Sequence, residues 1–426
     1  MKPAILRTIL FMLIAGIAGY FIGTNTVNFE WKTFNPQITV TSKEPPPSLS
    51  NIDMTQFWTV LEKLDQDYYN KSVIKPQDIV NGAISGMVSS LNDPFTMYLP
   101  PSDNSSFQQQ ISGQFGGIGA ELLDVNKEVT IQSTLDDTPA QKAGLKSGDI
   151  IAKVDGKTVS GMDLQSVVNL IHGPKGTTVD LSILHKNANV LVDVPIVRDT
   201  INVKSVSSWV KAVKNIDGIN TKADGLATHQ NDKVVYIQLS QFGEQTNTEW
   251  SKIVNQISVQ MLNDKSIKGV ILDLRNNPGG LLTDAVYIGS EFISSGTIVE
   301  EEDGQGNITA LPVNRKGLLT DVPLVVLING GSASAAEIVS GALRDHKRAP
   351  LVGEQSFGKG TVQEADDLGG GAGLHVTVAK WLTPNGTWVG NGKDGTGLKP
   401  DFAVNLDPKA PTRDTQLEKA VEVLLK

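Results

Sequence analysis

Cysteine is absent from the 426 residues. That excludes a disulfide framework, a thiol nucleophile and any thiolate metal site. Histidine is scarce. The five stand at positions 172, 185, 229, 346 and 375, and the nearest two are 13 residues apart. A close-spaced histidine pair on one helix face, as in zinc hydrolases, is therefore ruled out, and no metal site is expected. A basic excess is missing too. Lys plus Arg number 37 against 46 Asp plus Glu, a net charge of −9. General nucleic-acid binding needs the opposite balance. What is present is an ordinary globular composition, 39% hydrophobic and 19% charged, in a chain long enough for two or three domains. Glycine is abundant, at 41 residues, as expected of many turns and close backbone approaches.

The one long apolar run lies at the amino terminus. Residues 8–23 are almost wholly apolar and follow Lys2 and Arg7. Sixteen helical residues cover roughly 24 Å, a little short of a ~30 Å hydrocarbon core, and the uncharged 24–28 stretch completes the span. The preceding positive charges leave the rest of the chain outside the cytoplasm. The expectation is a single-pass anchor in a bacterial-type cell membrane with an extracytoplasmic remainder. A cut after the small residues Gly16 and Ala18 would instead make the protein secreted.

Residues 24–50 hold Pro36, Pro45, Pro46 and Pro47 and read as a tether. Helical periodicity follows over 54–64, with Phe57, Trp58, Leu61 and Leu64 on one stripe, and over 79–91, where Asn92-Asp93-Pro94 stops it. Short strand patterns with glycine turns fill 113–199. A longer α/β pattern fills 234–407. Between them 207–232 lacks a period and reads as an inserted loop. A closing helix at 414–425 carries Leu417, Ala420, Val421, Leu424 and Leu425.

In the first of these segments Phe115-Gly116-Gly117-Ile118-Gly119-Ala120 precedes a strand. Later come Thr138-Pro139-Ala140, Ala143-Gly144-Leu145-Lys146-Ser147-Gly148-Asp149 and Val154-Asp155-Gly156. A glycine-rich turn leaves backbone N–H groups free to take a terminal carboxylate, and the adjoining strand edge can accept an extended peptide. The segment resembles a PDZ domain, with Gly117, Ile118 and Gly119 as its peptide-binding positions and a protein's carboxyl-terminal tail as its ligand.

Three blocks in the last segment carry chemistry. In the first, the apolar run 269–274 enters Arg275-Asn276-Asn277-Pro278-Gly279-Gly280, a turn whose N–H groups could stabilise an oxyanion. In the second, the apolar run 324–328 enters Asn329-Gly330-Gly331-Ser332-Ala333-Ser334-Ala335-Ala336-Glu337. There a serine at a strand-to-helix turn is exposed for attack or caps the helix. Ser332 and Ser334 compete, and position alone does not choose. In the third, Gly358-Lys359-Gly360 sits beside Phe357 and Val362. A hydroxyl nucleophile needs a base. His346 is twelve residues past Ser334, about 18 Å along a helix, and cannot reach. His375 is not excluded by distance but lacks a marked acidic partner. A lysine serves if burial lowers its pKa, and serine–lysine pairs are a known variant of the triad.

These blocks, with 82–94, 236–242 and Gly397-Leu398-Lys399-Pro400-Asp401, resemble the carboxy-terminal processing peptidases, or tail-specific proteases, over about 54–425. The resemblance implies a multidomain α/β fold: a crotonase/ClpP-like α/β protease core, an inserted PDZ domain (α+β) and helical N- and C-terminal arms, here behind an N-terminal transmembrane helix. The corresponding division is 1–29 anchor, 30–50 linker, 51–112 helical region, 113–200 PDZ domain, 201–407 core with 207–232 inserted, and 408–426 helix. It implies Ser334 as nucleophile, Lys359 as base, Gln363 orienting the lysine, and oxyanion donors at Gly280 and Ala335. No cofactor is implied. The family's terminal helices often pair, which implies a homodimer, and the stripe 417–425 is compatible with that. The family often has an arginine where this chain has His172 before Gly173, which puts arginine-type gating of the PDZ domain in doubt or makes it pH-dependent.

Two other readings compete. Residues 353–359 imitate a phosphate-binding loop, but Gly360 stands where a magnesium-binding hydroxyl belongs and no helix pattern follows. A catalytically silent, membrane-tethered PDZ scaffold is the stronger alternative, and retention of Ser334, Lys359 and Gln363 together argues against it.

Overall fold

The computed structural model describes residues 27–32, 35–40, 48, 51–125, 127–135, 137–186, 188–223, 225–390 and 396–426. The apolar segment expected to anchor the chain lies almost wholly outside them. Among the described residues no helix is long and apolar enough to cross a membrane. The chain forms two compact units, Met1–Val80 and Asn81–Lys426.

In the first unit, strands β1 (Val27–Lys32) and β2 (Asn35–Val40) pair antiparallel, Val27 opposite Val40. The expected tether at 30–50 is therefore partly a hairpin. The alternation of Val27, Phe29 and Trp31 is a strand period that the later prolines obscure. Helix α1 (Thr55–Asp67) and the start of α2 (Pro76–Ser89) occupy the two expected helical stretches.

The second unit continues with β3 (Met97–Leu99), α3 (Pro101–Ser112), β4 (Gln114–Gly117), β5 (Ala120–Val125), β6 (Glu128–Thr134), α4 (Pro139–Lys142), β7 (Ile150–Val154), β8 (Lys157–Thr158), α5 (Leu164–Ile171), β9 (Thr178–Leu184), β10 (Leu191–Val197) and β11 (Asp199–Asn202). Strands β5 to β10 form an antiparallel sheet in the order β10-β9-β7-β6-β5, with β8 on β7, while β4 and β11 pair as a separate two-stranded sheet. Ile131, Val167, Leu181 and Ile183 are buried in its core. Strand β5 is the sheet's edge.

Then follow β12 (Val206–Ala212), β13 (Lys233–Leu239), α6 (Thr246–Asn263), β14 (Ile267–Asp273), α7 (Leu282–Phe292), β15 (Thr297–Asp303), β16 (Ile308–Pro312), β17 (Leu324–Ile328), α8 (Ala335–Asp345), β18 (Leu351–Gly353), β19 (Thr361–Gly369), β20 (Ala372–Leu382), β21 (Phe402–Ala403) and α9 (Thr415–Leu425). The central sheet runs β12-β13-β14-β17-β18-β21 and is parallel except for β12. It is covered on both faces, so its strands are continuous apolar runs. Val270 and Leu272 of β14 and Val326 of β17 join one core with Trp250, Ile288 and Val339 of α6, α7 and α8. Ile271, Val325 and Leu327 face the other way, onto Leu417, Ala420 and Val421 of α9. A second sheet, β16-β15-β20-β19 with β3 on β20, carries the remaining site residues.

One expectation is corrected and one narrowed. The stretch 207–232 is not an inserted loop throughout. It begins as β12, an edge strand, which needs only one packed face and so reads as polar; Trp209 stacks on Tyr236 at 4.8 Å. Val213, Ile216 and Leu226 then enter the core beneath α9. The apolar stripe 417–425 is likewise spent largely on the sheet, with Leu417, Ala420 and Val421 buried and Leu424 and Leu425 packed partly against them.

Candidate active site

Three turns meet where parallel strands end, the place at which open α/β sheets hold their ligands. The turn after β17 is tied to the one after β14. Asn329 Oδ1 accepts from Asn276 N–H at 2.8 Å and Gly331 N–H at 3.0 Å. Ser332 is buried; its hydroxyl donates to Leu274 O at 2.8 Å and accepts from Asn329 N–H at 2.9 Å. Its hydroxyl is thus committed to structure. Ser334 instead lines an open cavity of about 390 Å³. It precedes α8 with φ 52° and ψ −116°, a strained conformation for a residue with a side chain, of the kind that recurs at functional sites.

The glycines after β14 are dictated by space. At Gly279 (φ +96°) a Cβ would come within 2.7 Å of Ser334 Cβ, and at Gly280 (φ +139°) it would overlap Phe242 O. Gly279 N–H donates to Asn277 Oδ1 at 2.8 Å. Phe242 N–H donates to Gly279 O and Leu281 N–H to Phe242 O, each at 2.9 Å. Among the described residues the N–H groups of Gly280 and Ala335 have no acceptor. The expected oxyanion donors are thus unoccupied, whereas the neighbouring Gly279 N–H is already engaged.

Glu337, on α8, is the hub. Its Oε2 accepts from Ser334 N–H at 2.8 Å and Lys359 N–H at 2.9 Å. Its Oε1 accepts from Ser356 Oγ at 2.5 Å and Gly358 N–H at 2.7 Å. Burial pushes this carboxyl upward while the four donors pull it down. One buried side chain therefore joins the serine turn to the lysine turn. One sequence signal marks it, a glutamate three residues after a serine at a helix start, within a motif dominated by its serines.

Burial holds the Lys359 amine below its ordinary range, against the charges of Asp93 and Glu337. Nζ lies 4.8 Å from the Phe95 ring centroid. Among the described residues no hydrogen bond joins it to Ser334 Oγ. Gln363 lines the same cavity, and its amide donates to Thr361 Oγ1 at 2.9 Å and Thr377 Oγ1 at 3.1 Å, while among the described residues no hydrogen bond joins it to the lysine. His375 also lines the cavity. It is 8% exposed, meets Phe107 edge-on at 4.5 Å, and is held below its usual pKa by burial and by the Lys359 charge. His346 stands at the far end of α8 and bonds Thr297 O at 2.7 Å. The cavity's other walls are apolar, with Phe107, Ile111, Phe242, Leu282 and Ile338.

In the other sheet Gly117, Ile118 and Gly119 lead into the open edge of β5. Among the described residues the N–H groups of Ile118 and Gly119 lack acceptors. A small hollow there, lined by Phe115, Ile118, Leu122, Val168, Ile171 and His172, separates β5 from α5. His172 lies against Phe115 at 4.5 Å and is held below its usual pKa, first by burial and then by Arg198. It is a wall of this groove, not a free surface turn. Arg198 is buried and secures the end of α5 through Ile171 O at 2.7 Å and Leu170 O at 3.2 Å. Among the described residues no group of three metal-ligating side chains gathers.

Residues 233–404 match peptidase family S41, residues 116–196 match the PDZ domain, and residues 13–102 match the activating protease CtpB N-terminal domain. The chain is 37% identical over 352 residues to the carboxy-terminal-processing protease of Bartonella bacilliformis, covering 82% of this chain and 75% of that one. It is 38% identical over 346 residues to the carboxy-terminal processing protease CtpA of Bacillus subtilis, covering 81% and 67%. In fold it is similar to a putative S41 protease from Bacteroides fragilis, with a TM-score of 0.51 at 15% identity, covering 93% of this chain and 98% of that one. The chain belongs to peptidase family S41, as a PDZ-containing carboxy-terminal processing protease.

Proposed function

We propose that the chain is a serine endopeptidase using a Ser334–Lys359 dyad. The observation that carries this reading is a strained Ser334 sharing one cavity with a half-buried lysine and beside two N–H groups without acceptors. The neutral Lys359 amine takes the Ser334 proton as Oγ attacks the scissile carbonyl, and the oxyanion is held by the Gly280 and Ala335 N–H groups. The lysine returns the proton to the leaving amine, and water then resolves the acyl-enzyme by the same route. Gln363 orients the lysine once its amine turns toward Ser334. The apolar cavity walls favour apolar side chains beside the cut.

The substrate is an exported protein whose carboxyl-terminal tail adds as a strand to β5, its carboxylate on the N–H groups of Ile118 and Gly119. The amino-terminal apolar segment holds the enzyme at the outer face of the cell membrane. Trp58, Val60 and Leu64 of α1 are exposed, and a second copy of the chain would cover them, giving a homodimer.

The absence of a hydrogen bond between Ser334 and Lys359 favours a second reading, a PDZ scaffold without catalysis. Peptide cleavage separates the two. Wild type cleaves an apolar-tailed peptide, and Ser334→Ala and Lys359→Ala each lose activity by about 10³-fold or more. Tail binding with no cleavage at any pH between roughly 6 and 9 would favour the scaffold.

A further inference from the structure

The backbone of Lys359 is fixed on both sides. Its N–H donates to Glu337 Oε2 and its carbonyl accepts from Trp381 Nε1, each at 2.9 Å. Only side-chain torsions are left to move the amine inside the cavity that it shares with Ser334. The amine is seated 4.8 Å from the Phe95 ring centroid. A ring face carries the negative part of the aromatic quadrupole. It attracts an ammonium and gives a neutral amine no comparable interaction.

Phe95 is itself pinned. Asp93 Oδ1 accepts from Phe95 N–H at 3.0 Å, and Asp93 Oδ2 accepts from Thr96 Oγ1 at 2.7 Å. Thr96 Oγ1 in turn accepts from Thr377 N–H of β20 at 3.0 Å. The stretch that reads in the sequence as a helix stop thus presents an aromatic face to the lysine.

We propose that the Phe95 ring is a resting seat for the Lys359 ammonium, and that Phe95 is a positioning residue governing how readily the lysine becomes the neutral base for Ser334. The proposal rests on the reading of Lys359 as that base. Three other titratable groups face the amine. Asp93, on the α2–β3 loop, and Glu337, on α8, favour the ammonium together with the ring; burial opposes all three. His375 of β20 is held below its usual pKa, first by burial and then by the Lys359 charge itself. Activation is then a swing of one side chain away from a ring, with loss of a proton, while the backbone stays in place.

The test is the pH profile of kcat/KM, which reports ionisations of the free enzyme, measured on the full chain with an apolar-tailed peptide. The ring favours the ammonium, so removing it makes the amine easier to deprotonate. Phe95→Leu moves the ascending limb to lower pH by roughly one unit. Phe95→Tyr keeps the ring and leaves the limb where it was. An unmoved limb in Phe95→Leu, whatever happens to its plateau, overturns the seat and leaves Phe95 as packing. An upward shift, or an equal shift in Phe95→Tyr, overturns it as well. Where melting shows Phe95→Leu unfolded, Phe95→Met carries the same expectation. Full activity in Lys359→Ala is a separate failure, that of the dyad itself.

Discussion

At the scale of single residues, the site depends on a carboxylate whose role no motif announces. Glu337 accepts four hydrogen bonds, two on each oxygen. In Glu337→Gln one oxygen becomes an NH₂ group. Whichever way the amide turns, that group meets donors: the N–H groups of Ser334 and Lys359 on one side, or Gly358 N–H and the Ser356 hydroxyl on the other. Ser356 can rotate its proton away because Leu398 N–H already donates to its oxygen at 2.7 Å; backbone N–H groups cannot. The expected result is a loss of about 2–4 kcal/mol of stability, because buried donors lose their acceptor, and a fall in kcat well beyond any change in KM. Thermal melting and steady-state kinetics read the two. Wild-type kinetics in Glu337→Gln would show that the carboxylate does not hold the two turns in register. The serine and the lysine were legible because strand, small residues and helix surround them in the sequence. Spacing alone leaves Ser332 and Ser334 open, because which hydroxyl stays free depends on which one finds Leu274 O across 58 residues; the family resemblance is what implies Ser334.

At the scale of elements, alternation and apolar runs located the strands and helices but not their partners. The run 324–328 reads as a buried strand, and it is β17. The edge strand β12 and the destination of the α9 stripe depend on neighbours far along the chain, which a local period does not encode. Helices α6 and α7 meet through another pair that only the fold creates. Asn247 Nδ2 donates to Asp284 Oδ1 at 2.7 Å, while Asn247 Oδ1 and Asp284 Oδ2 are buried without partners. Burial pushes the Asp284 carboxyl up to about 6. A carboxyl raised in the folded state stabilises fully below its unfolded pKa, and that contribution is lost as pH rises through the folded value. The ionised carboxylate therefore costs stability at neutral pH. Asp284→Asn puts an N–H donor on the side of the second, unpartnered oxygen. It is expected to raise the melting temperature at pH 7.5 by a few degrees, equivalent to about 1–2 kcal/mol, and to raise it less near pH 5, inside the window between the unfolded value and about 6. An equal shift at both pH values would show that proton binding by Asp284 is not the source.

At the scale of the whole molecule, one polypeptide must be captured at its terminus by one sheet and cut beside another. In the proposed function capture uses backbone groups: the edge of β5 and the N–H groups of Ile118 and Gly119. Such groups recognise a terminal carboxylate through charge-assisted hydrogen bonds and read little of the side chains, apart from what fits the hollow beside Ile118 and Leu122. In the proposed mechanism cutting uses Ser334, whose surroundings do not depend on what the tail's last atom is. The two functions should therefore separate in kinetics. A peptide with an apolar tail and a free carboxylate is compared with the same peptide amidated at its end. Amidation removes one charge and at least one acceptor, a loss of roughly 1.5–3 kcal/mol for hydrogen bonds to a charged group. KM is then expected to rise about 10-fold or more, with kcat nearly unchanged, because the lost interaction is the same in the ground state and the transition state. A fall in kcat with KM unchanged would mean that the bound tail also sets the catalytic groups in place, so that occupancy of the β5 edge and the position of the Lys359 amine are linked. Equal kinetics for the two peptides would remove the carboxylate from recognition altogether and leave the β5 edge reading internal segments instead of ends.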